Sequence, residues 1–175
     1  NLNGWDFSGQ SMSGANLGGT TQKNTSFVNA DLSDAYFLYS KMTNVDLRGA
    51  NVEGADFGSA TYKNTIMSDG TIKGFSMASA DDSFSIGKYT PATSGGAMIS
   101  AKISEIDATI SGGAKLTLEQ GAAFEIANGK ILTVASDGSI QIDTDLLGST
   151  TFNVDANAGL AFEDGATLIV NLVAD

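Results

Sequence analysis

Residues 46–60 read Asp46-Leu47-Arg48-Gly49-Ala50, Asn51-Val52-Glu53-Gly54-Ala55 and Asp56-Phe57-Gly58-Ser59-Ala60, one five-residue unit repeated three times. The second position is apolar, the fifth is small, and the fourth is usually glycine. Extended outward, the spacing puts Leu2, Phe7, Met12, Leu17, Gln22, Phe27, Leu32, Phe37, Met42, Leu47, Val52, Phe57, Tyr62, Met67, Ile72 and Met77 in one register, fourteen of the sixteen apolar. Small residues such as Ala15, Ala30, Ala35, Ala50, Ala55 and Ala60 stand two positions before many of them. A period of five fits neither the helix repeat of 3.6 nor the strand repeat of two, so it is an internal repeat before it is any helix or strand.

These units, with Asn16-Leu17-Gly18-Gly19-Thr20 and Asp31-Leu32-Ser33-Asp34-Ala35, closely resemble the pentapeptide-repeat family. The resemblance implies a right-handed, four-sided β-helix with about 20 residues per coil. A period of 20 is also present on its own account, because Thr21-Gln22-Lys23-Asn24-Thr25, Lys41-Met42-Thr43-Asn44-Val45 and Thr61-Tyr62-Lys63-Asn64-Thr65 recur at that interval. Coils of that length stack Asn24, Asn44 and Asn64 in adjacent rungs about 4.8 Å apart, where amides can bond along a ladder. They sort the apolar residues into the columns Leu2/Gln22/Met42/Tyr62, Phe7/Phe27/Leu47/Met67, Met12/Leu32/Val52/Ile72 and Leu17/Phe37/Phe57/Met77, about four coils in all. Gln22, near Thr20 and Ser40, is expected to find hydrogen-bond partners inside the core.

The pattern breaks after Ala80. Residues 1–80 form the expected β-helix, 81–96 a connector, and 97–175 a second all-β domain. The latter holds short alternating runs: Ile99/Ala101/Ile103, Ile106/Ala108/Ile110, Leu116/Leu118, Phe124/Ile126, Leu132/Val134, Ile140/Ile142, Phe152/Val154, Leu160/Phe162 and Leu168/Val170/Leu172. Glycine-bearing turns separate them, which suits a β-solenoid, with a small β-sandwich as the alternative. Runs such as Gly113-Ala114-Lys115-Leu116-Thr117-Leu118 are similar in texture to the β-solenoids of autotransporter passengers and other bacterial surface proteins. That resemblance implies export and surface display. The five-residue register already runs at Leu2 and an apolar run nearly reaches Asp175, so the parent polypeptide is expected to be longer or its copies to associate through an open solenoid end.

Composition removes several chemistries. The chain has no cysteine and no histidine, which excludes disulfides, thiol catalysis, imidazole bases and nearly every zinc pattern. No apolar stretch approaches the roughly 20 residues of a membrane-spanning helix. The net charge of −11 divides into −2 for residues 1–80 and −9 for residues 81–175. Some pentapeptide-repeat proteins imitate duplex DNA with an acidic rod and bind topoisomerases; here the rod is nearly neutral, and nucleic-acid binding is disfavoured by charge.

Paired carboxylates are the catalytic constellation left to consider. Asp143 with Asp145, or Glu105 with Asp107, could share a strand face and hold a hard cation or act on a glycosidic bond. Solvated positions opposite an apolar face explain them as well. No calcium-loop motif, nucleophile elbow or phosphate loop is present, and the lone arginine, Arg48, is placed on the outside of the rod. The expected inventory is therefore no catalytic residue, no metal site and no cofactor.

Tyr36-Phe37-Leu38-Tyr39 is the most pointed surface feature. With Phe37 inward, Tyr36, Leu38 and Tyr39 project from one flank, above Asn16, Gly18 and Gly19 and below Asp56, Gly58 and Ser59. Such a patch suits a protein, a glycan or a second copy, unless the connector or second domain covers it. The expected function is a non-enzymatic spacer or adhesin-like passenger of a secreted or surface-displayed bacterial protein. The alternatives are a DNA-mimic regulator of a topoisomerase, which would be cytoplasmic, and a polysaccharide-active β-helix enzyme.

Overall fold

The computed structural model describes residues 1–145 and 148–172, all-β and without a helix among them. It divides into two units, residues 1–74 with 90–99 and residues 75–89 with 100–175.

In the first unit the strands β1 (Thr21–Lys23), β2 (Lys41–Thr43) and β3 (Thr61–Lys63) pair in parallel, each residue opposite the one 20 positions later. Parallel bridges Asp6↔Ser26↔Asp46↔Ile66, Ser11↔Asp31↔Asn51 and Asn16↔Tyr36↔Asp56 form the other sides at the same interval. The coil is thus four-sided, and its inward residues stack: Phe7 on Phe27 at 5.3 Å and Phe37 on Phe57 at 4.7 Å between ring centres. Phe27, Leu32, Phe37, Met42 and Leu47 are all but inaccessible to solvent, with Ala30, Ala35 and Val45 filling the space between them. Burying each large apolar side chain contributes roughly 1.5–3 kcal/mol, and stacking makes one core of coils too thin to have their own.

Corners recur at the second residue after each inward position. Glycine or asparagine occupies most of them, but Asp34, Tyr39 and Ser59 adopt the same left-handed backbone. Asp or Asn just before the inward residue fastens the turn by accepting the N–H two residues on: Asp6 from Ser8, Asn16 from Gly18, Asp31 from Ser33 and Asp56 from Gly58.

Three coils are complete, and the fourth departs after its second side, where Ile66 still bridges Asp46. Thr65–Ile66 (β4) pairs antiparallel with Ile72–Lys73 (β5) across a turn at Asp69-Gly70, where Gly70 rather than Asp69 takes the positive φ. Asp69 accepts the Thr71 N–H at 2.9 Å, as an Asp-Gly turn favours. Ile72 consequently lies opposite Ile66 instead of stacking on Val52, and Met77 bridges Ile110 in the second unit instead of stacking on Phe57. The hairpin closes the coil stack: the Lys73 amine lies 5.3 Å from the Tyr62 ring centre, and Gly74 approaches the Tyr62 carbonyl so closely that no side chain fits there. At the other end, Trp5 replaces the small residue of its column (Thr25, Val45, Thr65) and stacks on Phe7 at 5.6 Å.

The second unit opens with β6 (Ser83–Ile86), inside the stretch expected to be connector. Phe84 and Ile86 are buried there, alternating with Ser83 and Ser85 as in the strands that follow. Three strands per coil follow: β7 (Ala101–Ile103), β8 (Ala108–Ile110) and β9 (Lys115–Leu118); then β10 (Ala123–Ile126), β11 (Ile131–Val134) and β12 (Ser139–Thr144); then β13 (Thr151–Val154), β14 (Gly159–Phe162) and β15 (Thr167–Leu172). They form the sheets β13-β10-β7, β14-β11-β8 and β15-β12-β9-β6, every pair parallel. That is a three-sided solenoid; a sandwich of this size needs antiparallel neighbours. Its register steps are 32 residues from β6 to β9, 23 or 24 to the next coil and 28 to the last, yet Phe84, Leu116, Ile140 and Leu168 remain in one column.

Candidate interaction site

Tyr36 and Tyr39 are 54% and 66% exposed on the flank of the second coil, and Leu38 is half-buried between them. Bridges hold Tyr36 between Asn16 and Asp56, and the N–H of Tyr39 bonds the Gly58 carbonyl at 3.0 Å. Leu38 rests over Gly58, whose missing side chain leaves room for its methyl. Small residues above and below therefore leave the two rings unscreened.

Tyr39 occupies a left-handed corner, φ 59°, in the same column as Gly19 at 65° and Ser59 at 54°. A bulky L-residue costs roughly 1–2 kcal/mol in that conformation compared with glycine. Composition alone did not mark Tyr39 as a corner, because glycine, asparagine and aspartate are the turn residues one counts. Local strain of this kind concentrates where a side chain is needed for something other than stability.

The asparagine column stands beside β1–β3. The Asn44 amide donates to the Asn24 carbonyl oxygen at 3.0 Å, and Asn24, Asn44 and Asn64 share left-handed φ values of 53°, 51° and 49°. Within the core, the Gln22 amide donates to Thr20 Oγ1 at 2.8 Å and that hydroxyl donates to the Leu17 carbonyl at 2.7 Å. Gln22 Oε1 and Ser40 Oγ find no partner among the described residues, so the expected satisfaction of Gln22 is only half met.

Arg48 is not on the outside. It is fully buried, its Nε 3.0 and 3.1 Å from the Asp46 carboxylate oxygens and its Nη2 2.6 Å from Oδ2. Its carbonyl bonds the N–H of Asn29, whose side-chain amide donates to the Thr90 carbonyl at 2.8 Å. Residues 90–99 thus return to the rod at this corner, which periodicity in the rod could not reveal.

Of the paired carboxylates, Asp107 and Asp145 accept backbone N–H groups at bends, while Asp143 lies within β12 and is bonded by neighbouring side chains on the sheet. Asp143 accepts from Gln141 and Asn171 at 2.8 and 2.9 Å, and Asp145, beyond the end of β12, accepts the Ser149 N–H at 3.1 Å. Glu105 and Asp107 lie in the bend between β7 and β8, not on a strand face, and Asp107 accepts the Ile131 N–H at 2.9 Å. No group of three or more potential metal-binding side chains occurs among the described residues.

Residues 23–61 match the family model for pentapeptide repeats in eight copies. No curated protein and no solved structure matches the chain. Asp6, Asp31, Asp46, Asp56 and Asp69 each accept the N–H two residues on, and the Ser8 and Ser33 hydroxyl and backbone donors hold the Asp6 and Asp31 carboxyls below the usual aspartate range. No helix among the described residues is long and apolar enough to cross a membrane.

Proposed function

We propose that the chain is a non-enzymatic scaffold of a secreted or surface-displayed bacterial protein, whose pentapeptide-repeat rod presents Tyr36, Leu38 and Tyr39 to a protein or glycan partner. The observation that carries this reading is Tyr39, 66% exposed and held at a left-handed corner where glycine would be easier. A ring kept in that conformation without being buried is best understood as a contact surface. The rigid stacked coils supply the platform.

A glycan array probed with the intact chain and with a Tyr36→Ser/Leu38→Ser/Tyr39→Ser variant tests the contact role, with light scattering as the readout for protein association. Equal array profiles and equal association states for the two proteins would remove it. Protease accessibility of the parent protein on intact cells tests the location: resistance to added protease until lysis would place it inside.

A further inference from the structure

The outward positions of β1, β2 and β3 hold Thr21 and Lys23, Lys41 and Thr43, and Thr61 and Lys63, while Gln22, Met42 and Tyr62 turn inward. Register sets Thr21 beside Lys41 beside Thr61, and Lys23 beside Thr43 beside Lys63. Threonines flank Lys41 in one column and Thr43 separates Lys23 from Lys63 in the other, so each lysine meets the next only diagonally. Directly opposed like charges destabilise a sheet, so this checkerboard gathers three positive charges on one flat face without opposing any two.

A face arranged for stability alone would set acids across from the lysines. Residues 21–25, 41–45 and 61–65 contain none. Lys23 and Lys41 are exposed, and neither has an ion-pair partner among the described residues. Asp31, Asp34 and Glu53 belong to the opposite side of the four-sided coil. The rod's near-neutral total thus conceals a basic face.

Size and chemistry select the ligand. Rungs about 4.8 Å apart and residues rising about 3.3 Å give a face on the order of 100 Å². Stable protein interfaces take about 800 Å² from each partner and are anchored by aromatic or apolar residues, which this face lacks. A linear polyanion needs neither, because repeated charge contacts along its length suffice. Duplex DNA carries a charge every ~1.7 Å, far denser than lysines on rungs about 5 Å apart. Sugars with a charge on each unit or alternate unit fit better. Tyr39 lies two residues before Lys41, at the corner that precedes this face.

We infer that the β1–β3 face binds an acidic polysaccharide, with Lys23 and Lys41 engaging its carboxylate or sulfate groups. This rests on the glycan branch of the reading above but on a different face.

The test is biolayer interferometry of the full chain on immobilised alginate, dextran sulfate, neutral dextran and duplex DNA. Binding to alginate or dextran sulfate is expected, weakening roughly tenfold or more between about 50 mM and about 500 mM NaCl. A Lys23→Gln/Lys41→Gln variant with an unchanged circular dichroism spectrum should lose roughly tenfold in affinity. The exposed control pair Lys88→Gln/Lys115→Gln should lose none. Alginate and dextran sulfate distinguish carboxylate from sulfate recognition. No binding to either, binding unaffected by the Lys23/Lys41 change, or tighter binding to DNA would overturn the inference. Binding lost with the tyrosine changes but not with the lysine changes would sink it while leaving the aromatic contact role standing.

Discussion

Tyr39 stands one coil above Gly19 in the same corner column, and the two share a left-handed backbone, φ 59° and 65°. The coil geometry dictates that conformation to whatever residue arrives there. Replacing Tyr39 with Gly should stabilise the rod by about 1 kcal/mol, the relief of left-handed strain less the added freedom of the unfolded chain. For a unit of this size that corresponds to a rise of about 4–8 °C in its melting temperature. Trp5, the single tryptophan, stacks on Phe7 and so reports the rod by fluorescence apart from the second unit. A lower transition for the Tyr39→Gly chain would mean that the ring is packed rather than presented.

Gln22 lies beneath Met42 in a core column, with its amide nitrogen paired and its oxygen unpaired. An unsatisfied buried polar atom costs about 1–3 kcal/mol, whereas methionine fills much the same volume. Gln22→Met is expected to be neutral or to stabilise by up to about 1 kcal/mol, because Thr20 keeps its bond to the Leu17 carbonyl. A loss of about 2 kcal/mol or more in denaturant titration would show that the Gln22 oxygen is satisfied in solution.

Asp31 accepts bonds from the Ser33 hydroxyl at 2.8 Å, the Ser33 N–H at 3.1 Å and the Asn51 amide at 3.1 Å. Its carboxyl therefore titrates below the ordinary aspartate value of 3.8 in the folded rod, as does that of Asp6 beside Ser8. The unfolded chain takes up these protons first, so their stabilisation is complete above 3.8 and is lost as pH falls through the folded values. The rod's melting temperature should be flat with respect to these two groups at neutral pH and decline below about pH 4, with a shallower decline in an Asp31→Asn variant. An identical acid limb in that variant would remove Asp31 from the explanation.

The last coil of the second unit leaves inward residues uncovered: Val154, Phe162, Leu168, Val170 and Leu172 are each between 41% and 68% exposed. Copies of the chain are expected to associate through this apolar surface. Residues 148–172 carry Asp155, Glu163 and Asp164 and no lysine or arginine, so salt should strengthen the association by screening their repulsion. Binding at the lysine face runs the other way, weakening as salt rises. Sedimentation that shows a monomer at every salt concentration, or a Phe162→Ser/Val170→Ser change without effect on association, would rule this interface out.

The five-residue period made the rod legible because each inward residue is counted once per side and then stacked on its like. Ile72 and Met77 kept that period and still left the coil, since Asp69-Gly70 forms a hairpin whose local turn preference overrides a hydrophobic register. Alternation was enough to locate all nine strands from β7 to β15, while parallel pairing emerged only in three dimensions. The burial of Arg48 and the return of residues 90–99 had no signal in sequence, because a nonperiodic segment covering a periodic one leaves no mark on either. Of the candidate site, the projection of Tyr36 and Tyr39 followed from Phe37 pointing inward. The strain at Tyr39 needed the corner geometry, and the lysine checkerboard needed strand register.

The central claim is that the rod holds Tyr36 and Tyr39 outward for contact at some cost to its own stability. The most direct measurement is binding by a Tyr36→Ser/Tyr39→Gly chain to the ligand that the unaltered chain selects from the array, on a sample whose Trp5-reported melting temperature has not fallen. The account predicts that binding is lost while melting is unchanged or raised; undiminished binding by the fully folded variant would contradict it.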